Sequence, residues 1–559
     1  MFRRMAGPAA ALVVLLVSVS TAGAQEMARL FDADVGLYVE LSSTTEALRT
    51  VDLWLGPMAK GGRNPLQDGY EELGNLMGVQ KEQVPEEIKK AKGAAMAFIG
   101  FNADVEEPEM LIVLDTGAST ALLEGIKKGL LGEDFEVAEK FQEVSIYTGE
   151  NVECPGAVDG VGYCAFVDSL MILGPSKEAV KDVVARQKGQ PAKPVLSADP
   201  NFQAAVAKLE KNRVLWEYAS MAGLKKVIQP MMATEEGEGN ADAVWKAADL
   251  DSIEYAVVQF YLKGDRSLES GYVKFKPASR LMNLIRTPAA PLPLLKRVPA
   301  DFPLVMGTHI ADGKAQYEQF IAYVKGIEDA AELAQDDDER LEKQVADLEA
   351  DTGIKMDEAV ANLSEVVFAV RMPSQATGWQ PAVLVLAEVR DPVKARELAG
   401  KIEKQYLAGN EGEQMKALEY QGITVHYPEA DGEPVEQGLC YAFDANVWMA
   451  ASNRQFILDA IKASANQKSI ADNAIVAKSM ESLPPAVSKL VLFDFLGMIP
   501  PDALPGGMRP GRAVLAFGMV DGTDEMTFTG DLTGFSQLMP LFMIGLQGMQ
   551  GMGDGGGVQ

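Results

Sequence analysis

The sequence predicts an α+β fold of two tandem homologous units, each an antiparallel sheet with helices packed on one face. Three observations predict it. Short segments such as Val35 to Leu41 and Leu304 to Ile310 have the aliphatic and aromatic content of strands. Between the strand segments, Leu122, Leu123, Ile126 and Leu130, and later Leu398, Ile402 and Tyr406, fall at helical spacing. The same series of segments then recurs in the second half of the chain.

At 559 residues, 47% hydrophobic and 23% charged, the chain is too long for one core and has a globular balance. Its start has the layout of a secretory signal peptide. Arg3 and Arg4 precede an apolar run from Ala9 to Val19, and Ala22-Gly23-Ala24 supplies a small-x-small cleavage pattern. Residues 1–24 are therefore expected to be removed, which directs the remainder to the periplasm or cell envelope. Pro8, Ser18, Ser20 and Thr21 keep the apolar run too short to span a bilayer comfortably. The net charge of −29 repels phosphate backbones, and no basic stripe offsets it, so nucleic acid is excluded as a partner.

The first unit is expected at 25–276 and the second at 298–535. Asp34 before its strand segment matches Asp301 before its own, 267 positions later. Pro108 before LIVLD matches Pro381 before VLVLAE, 273 apart, and Arg213 to Tyr218 matches Leu490 to Phe495, 277 apart. The order is the same throughout, and the drift in offset fits an insertion near the acidic run Asp336 to Glu339. Each copy ends on two strand segments joined by a short turn. Adjacent strands joined by short polar turns imply antiparallel pairing.

Pro277, Pro288, Pro291 and Pro293 break up residues 277–297, which predicts an extended linker. Residues 536–559, with Met539, Met543, Met549 and Met552, predict a short amphipathic helix and then a glycine-rich tail. Its apolar stretch is too short to cross a membrane, so no transmembrane span is expected in the mature chain.

Three stretches resemble a large family of exported bacterial proteins known only as a domain of unknown function. They are Pro299-Ala300-Asp301 with its counterpart Asp32-Ala33-Asp34, the stretch Asp351 to Val370, and Leu196 to Leu209. The resemblance implies an extracytoplasmic setting and an α+β repeat fold. It brings no catalytic residues with it.

The sharpest chemical signal is Asp115-Thr116-Gly117-Ala118-Ser119, preceded by apolar residues as in the active-site segment of aspartic proteases. That chemistry needs two carboxylates sharing a proton at symmetry-related positions. The internal repeat pairs Asp115 with Glu388, whereas the second Asp-Thr-Gly, Asp351 to Gly353, pairs with a segment around Leu76. Thr116 and Ser119 are also N-cap candidates for the helix that follows. The expected role is therefore structural, and a hydrolase using Asp115 is the alternative. Cys154 and Cys164 bracket a turn-rich segment and are expected to form a disulfide, leaving Cys440 free. Only two histidines are present, His309 and His426, both inside strand patterns. The acidic clusters Glu235 to Glu238 and Asp336 to Glu339 lack calcium-loop spacing. No metal or cofactor is expected. The sequence thus predicts a non-catalytic envelope protein that binds an unnamed envelope component or serves a structural role, with a carrier of an apolar ligand as a further alternative.

Overall fold

Leu111, Val113 and Leu114 lie in one strand and are all buried, so that strand is covered on both of its faces. This pattern decides the architecture of the first half of the chain. The structure, a computed structural model, describes residues 27–42, 44–59, 65–132, 135–149, 151–234, 241–331, 340–371, 382–410, 412–435, 438–466, 468–498 and 513–534. The expected signal peptide (1–24), the Met/Gly-rich tail (536–559) and both acidic clusters lie outside the described residues. The chain divides between Pro277 and Ala278 into two compact units.

The strands of the first unit are Leu37–Leu41 (β1), Gly93–Asn102 (β2), Glu107–Asp115 (β3), Phe135–Phe141 (β4), Val144–Gly149 (β5), Tyr163–Val167 (β6), Leu170–Gly174 (β7), Arg213–Ser220 (β8), Ile253–Lys263 (β9) and Arg266–Phe275 (β10). They pair antiparallel in the order β4, β5, β6, β7, β3, β2, β1, β8, β9, β10.

The second unit contributes Leu304–His309 (β11), Leu363–Arg371 (β12), Ala382–Val389 (β13), Glu413–Tyr420 (β14), Ile423–Ala430 (β15), Glu433–Pro434 (β16), Cys440–Asp444 (β17), Val447–Ala451 (β18), Lys489–Asp494 (β19), Val514–Asp521 (β20) and Glu525–Asp531 (β21). Here the order is β14, β15, β17, β18, β13, β12, β11, β19, β20, β21, again antiparallel, with β16 also paired to β15.

The fold class expected from the sequence is corrected. All 21 strands belong to one antiparallel sheet, rather than to separate sheets of two tandem units. Nor are helices confined to one face. In the first unit, one cluster joins Tyr38, Val113 and Trp216 to Val180, Val183 and Phe202 of the helices Lys177–Gln187 and Pro200–Val206. A second cluster joins Leu41, Leu114 and Met171 to Leu48, Leu73, Leu122 and Ile126 of three other helices. The physical reason is visible along β3, where Leu111 and Val113 serve one cluster and Leu114 the other. A run with apolar residues at consecutive positions is buried on both faces, whereas strict alternation would leave one face wet.

The second unit buries one large cluster among its described residues, including Val367, Leu384, Leu386, Met449 and Leu492. Leu292, Leu294, Leu295 and Val298 belong to it as well. Residues 277–297 are therefore not the extended linker expected from their prolines. They contain the helix Arg280–Ile285 and the 3-10 turn Pro293–Arg297, and their leucines pack inward. Proline sets φ without preventing burial, so the apolar residues between the prolines decide the outcome.

Candidate functional site

Asp115 is the last residue of β3, and the helix Thr120–Leu131 begins five residues later. The intervening turn is held by each residue of the conspicuous motif. The Asp115 carboxylate accepts the Gly117 N–H at 2.9 Å and the Ser169 hydroxyl at 2.6 Å, both on Oδ1. Lys92 Nζ lies 3.8 Å from Oδ2. Thr116 is buried, and its hydroxyl donates to the Ser169 carbonyl oxygen at 3.0 Å. Gly117 has φ of +56°, and a Cβ there would lie 2.2 Å from the Lys90 carbonyl oxygen, so only glycine fits. Ser119 caps the helix by accepting the Leu122 N–H at 3.1 Å, while its own hydroxyl donates to Glu87 at 2.7 Å.

The second Asp-Thr-Gly does something different. Asp351 and Thr352 end the helix Leu341–Thr352, and Gly353 forms its left-handed cap at φ of +64°. The Thr352 hydroxyl donates back to the Leu348 carbonyl oxygen at 2.6 Å. One triplet thus opens a helix and the other closes one, on unrelated elements of different units. Glu388, which the repeat offsets pair with Asp115, accepts from Ser364 Oγ at 2.8 Å and Asn446 Nδ2 at 2.9 Å. Both carboxylates therefore have protein donors on them.

The predicted disulfide is corrected too. Cys154, Cys164 and Cys440 are all free, buried thiols. The Cys154 thiol points at the Met110 carbonyl oxygen of β3, 3.3 Å away, which turns its sulfur toward β3. Burial pushes all three thiols up to about 12, so at neutral pH they are protonated and poor nucleophiles.

Two buried glutamates that hold their protons well past the usual range escaped the sequence reading. Glu40, on β1, is 2% exposed beside Tyr38, whose hydroxyl donates to it. Burial pushes Glu40 up to about 8, although the Tyr38 hydroxyl and the Arg213 charge pull the other way. Glu365, on β12, is 1% exposed and accepts the Leu294 N–H at 3.0 Å. Burial raises it to about 7, with the facing Glu388 adding repulsion. The available signal was position. Glu40 shares a strand face with Tyr38, and Glu365 shares one with Val367 and Ala369.

His309 Nε2 lies 3.3 Å from the Ala290 carbonyl oxygen, and His426 stacks on Tyr441 with ring centres 4.6 Å apart. Among the described residues, no group of three or more His, Cys, Asp or Glu side chains is placed to hold a metal ion. Among the same residues, no helix is long and apolar enough to cross a membrane.

Residues 363–494 match the model of a family described as a protein of unknown function (DUF3352). The matched stretch begins at the first residue of β12 and ends at the last of β19. No curated protein matches the chain. Among solved structures, crystal form IV of TP0453 aligns at 7% identity over 45% of this chain and 83% of that one, with a TM-score of 0.24. Crystal form I of the same protein aligns at 8% identity over 49% and 86%, with a TM-score of 0.23. The family match, confined to the second unit, is thus to a domain of unknown function.

Proposed function

We propose that this chain is an exported, non-catalytic binding or structural protein of the cell envelope. One observation carries the non-catalytic reading. The Asp115 carboxylate, the best chemical candidate in the sequence, uses Oδ1 to hold the Gly117 amide and the Ser169 hydroxyl in the turn. A carboxylate that activates water through a shared proton needs a partner carboxylate, and the two candidates are placed otherwise: Asp351 ends a helix, and Glu388 accepts from Ser364 and Asn446. Asp115 instead joins a strand to a helix. Support for export comes from the N-terminal arginines, apolar run and Ala22-Gly23-Ala24, and support for the envelope from the family resemblance.

The purified chain, offered peptide, ester and glycoside substrates from pH 3 to 8, is expected to turn over none of them. Turnover that a single substitution abolishes would overturn the reading. Export is tested separately by N-terminal sequencing of protein recovered from the periplasm, which should begin at Gln25. Recovery of the chain only from the cytoplasm, with Met1 intact, would contradict it.

A further inference from the structure

The chain just before β11 is anchored at two ends. At one end Lys489 Nζ donates to the Ile285 carbonyl oxygen at 2.6 Å, and the Thr287 N–H donates to the fully buried Asp521 carboxylate at 3.0 Å. Ala290 exchanges two main-chain hydrogen bonds with Val487. At the other end the Val298 carbonyl oxygen accepts the Ile470 N–H at 2.8 Å, and Arg297 pairs with Asp444 of β17 at 2.6 Å. Between the anchors the chain lies over Gly307 of β11, where an added Cβ would come within 3.0 Å of Leu292 Cδ1. Its main chain meets the sheet at Leu294, whose N–H donates to Glu365 Oε1 at 3.0 Å.

Glu365 stands in a row of titratable side chains. His309 of β11 and Glu388 of β13 lie opposite it in direct register, one on each side. The surrounding cations are engaged elsewhere. His309 turns its Nε2 to the Ala290 carbonyl oxygen, and Arg297 is on Asp444. Hydrogen bonds from Ser469, and then the Lys296 charge, hold Asp472 below the ordinary carboxylate range. The helix Arg454–Asn466, packed on the turn Pro293–Arg297, places Arg454 over Tyr427 and Lys462 over Tyr420 and beside Asp459. A charge on Glu365 would therefore meet an apolar cover and the repulsion of Glu388. Water is what relieves such a charge, and the stretch above Glu365 is what keeps water out.

We propose that residues 291–296 form a pH-operated strap, closed over Glu365 while that carboxyl is uncharged and released to admit water when it ionises. Release uncovers Leu292, Leu294 and Leu295, all members of the core cluster. The direction follows from linkage. Under the closed strap Glu365 keeps its proton up to about 7, whereas a water-exposed glutamate loses it near about 4.3. The closed state binds more protons across that window, so opening grows as pH rises through it. The inference concerns the second unit alone and does not depend on the non-catalytic reading.

The test is native-state hydrogen exchange on the full chain at pH 5 and pH 8.5, corrected for the intrinsic rate and read at the Leu294 and Leu295 amides. Their protection should fall on the order of tenfold to a hundredfold between the two conditions. They should also exchange faster than the amides of β12 at each pH. Glu365→Gln keeps an acceptor for the Leu294 N–H and never ionises, so it should flatten the change. Glu388→Gln removes the repulsion and should shrink the change while leaving the strap closed at pH 5. Equal protection at both pH values would overturn the proposal, and so would a fall that persists in full in both variants. Exchange of the strap amides at the rate of the β12 amides throughout would make the transition global unfolding, which overturns it as well.

Discussion

Gly117 and Ser119 show how a catalytic-looking motif arises from local mechanics. An alanine at 117 would need a left-handed φ and would push its Cβ against the Lys90 carbonyl oxygen. Gly117→Ala should therefore cost more than the roughly 1–2 kcal/mol of the backbone term alone, measured by urea unfolding. A cost near zero would mean that the turn relaxes freely. Ser119→Ala should cost about 0.5–2 kcal/mol through loss of the cap. The cap was legible in the sequence because a serine followed a strand and preceded helical spacing. The partners that fix Asp115 were not legible. Ser169 lies 54 residues away, and it is β3–β7 pairing that brings the two together.

Strand by strand, the sequence announced where segments lie and hid which faces they bury. A glutamate in an alternating strand suggests a solvent face, yet Glu40 and Glu365 point inward because elements distant in sequence cover them. Their titration has a definite sign. The folded chain keeps the Glu365 proton up to about 7, whereas an unfolded glutamate loses it near about 4.3. The native state binds more protons across that window, so stability falls as pH rises through it and levels off above about 7. Glu40 extends the decline to about 8. Glu365→Gln keeps an acceptor for the Leu294 N–H and never ionises. Urea midpoints at pH 5 and pH 8 should therefore lie closer together in that variant than in the unsubstituted chain. An equal gap would show that Glu365 contributes nothing to the pH dependence. The prolines of 277–297 misled for a related reason: they mark where regular structure breaks, and Leu292, Leu294 and Leu295 show that such a segment can still be core.

For the molecule as a whole, the sequence suggested separate sheets in two tandem units, and the single 21-stranded sheet was not readable in it. Neighbours such as β3 and β7, or β11 and β19, lie far apart in sequence, so local pattern does not name them as partners. Net charge of −29 acts at this scale as well. The chain should pass unretained over heparin at low salt, and retention would reveal a basic face that the sequence does not suggest. The central claim is that the chain spends its most conspicuous carboxylate on folding rather than on chemistry. Residues kept for reaction commonly lower stability, so replacing them raises it, while residues kept for structure do the reverse. The decisive measurement is the unfolding free energy of Asp115→Asn beside that of the unsubstituted chain. The structure predicts a loss, on the order of 1–3 kcal/mol, because hydrogen bonds to a charged acceptor are weakened. A gain in stability, accompanied by loss of an acid-pH hydrolytic activity, would contradict it.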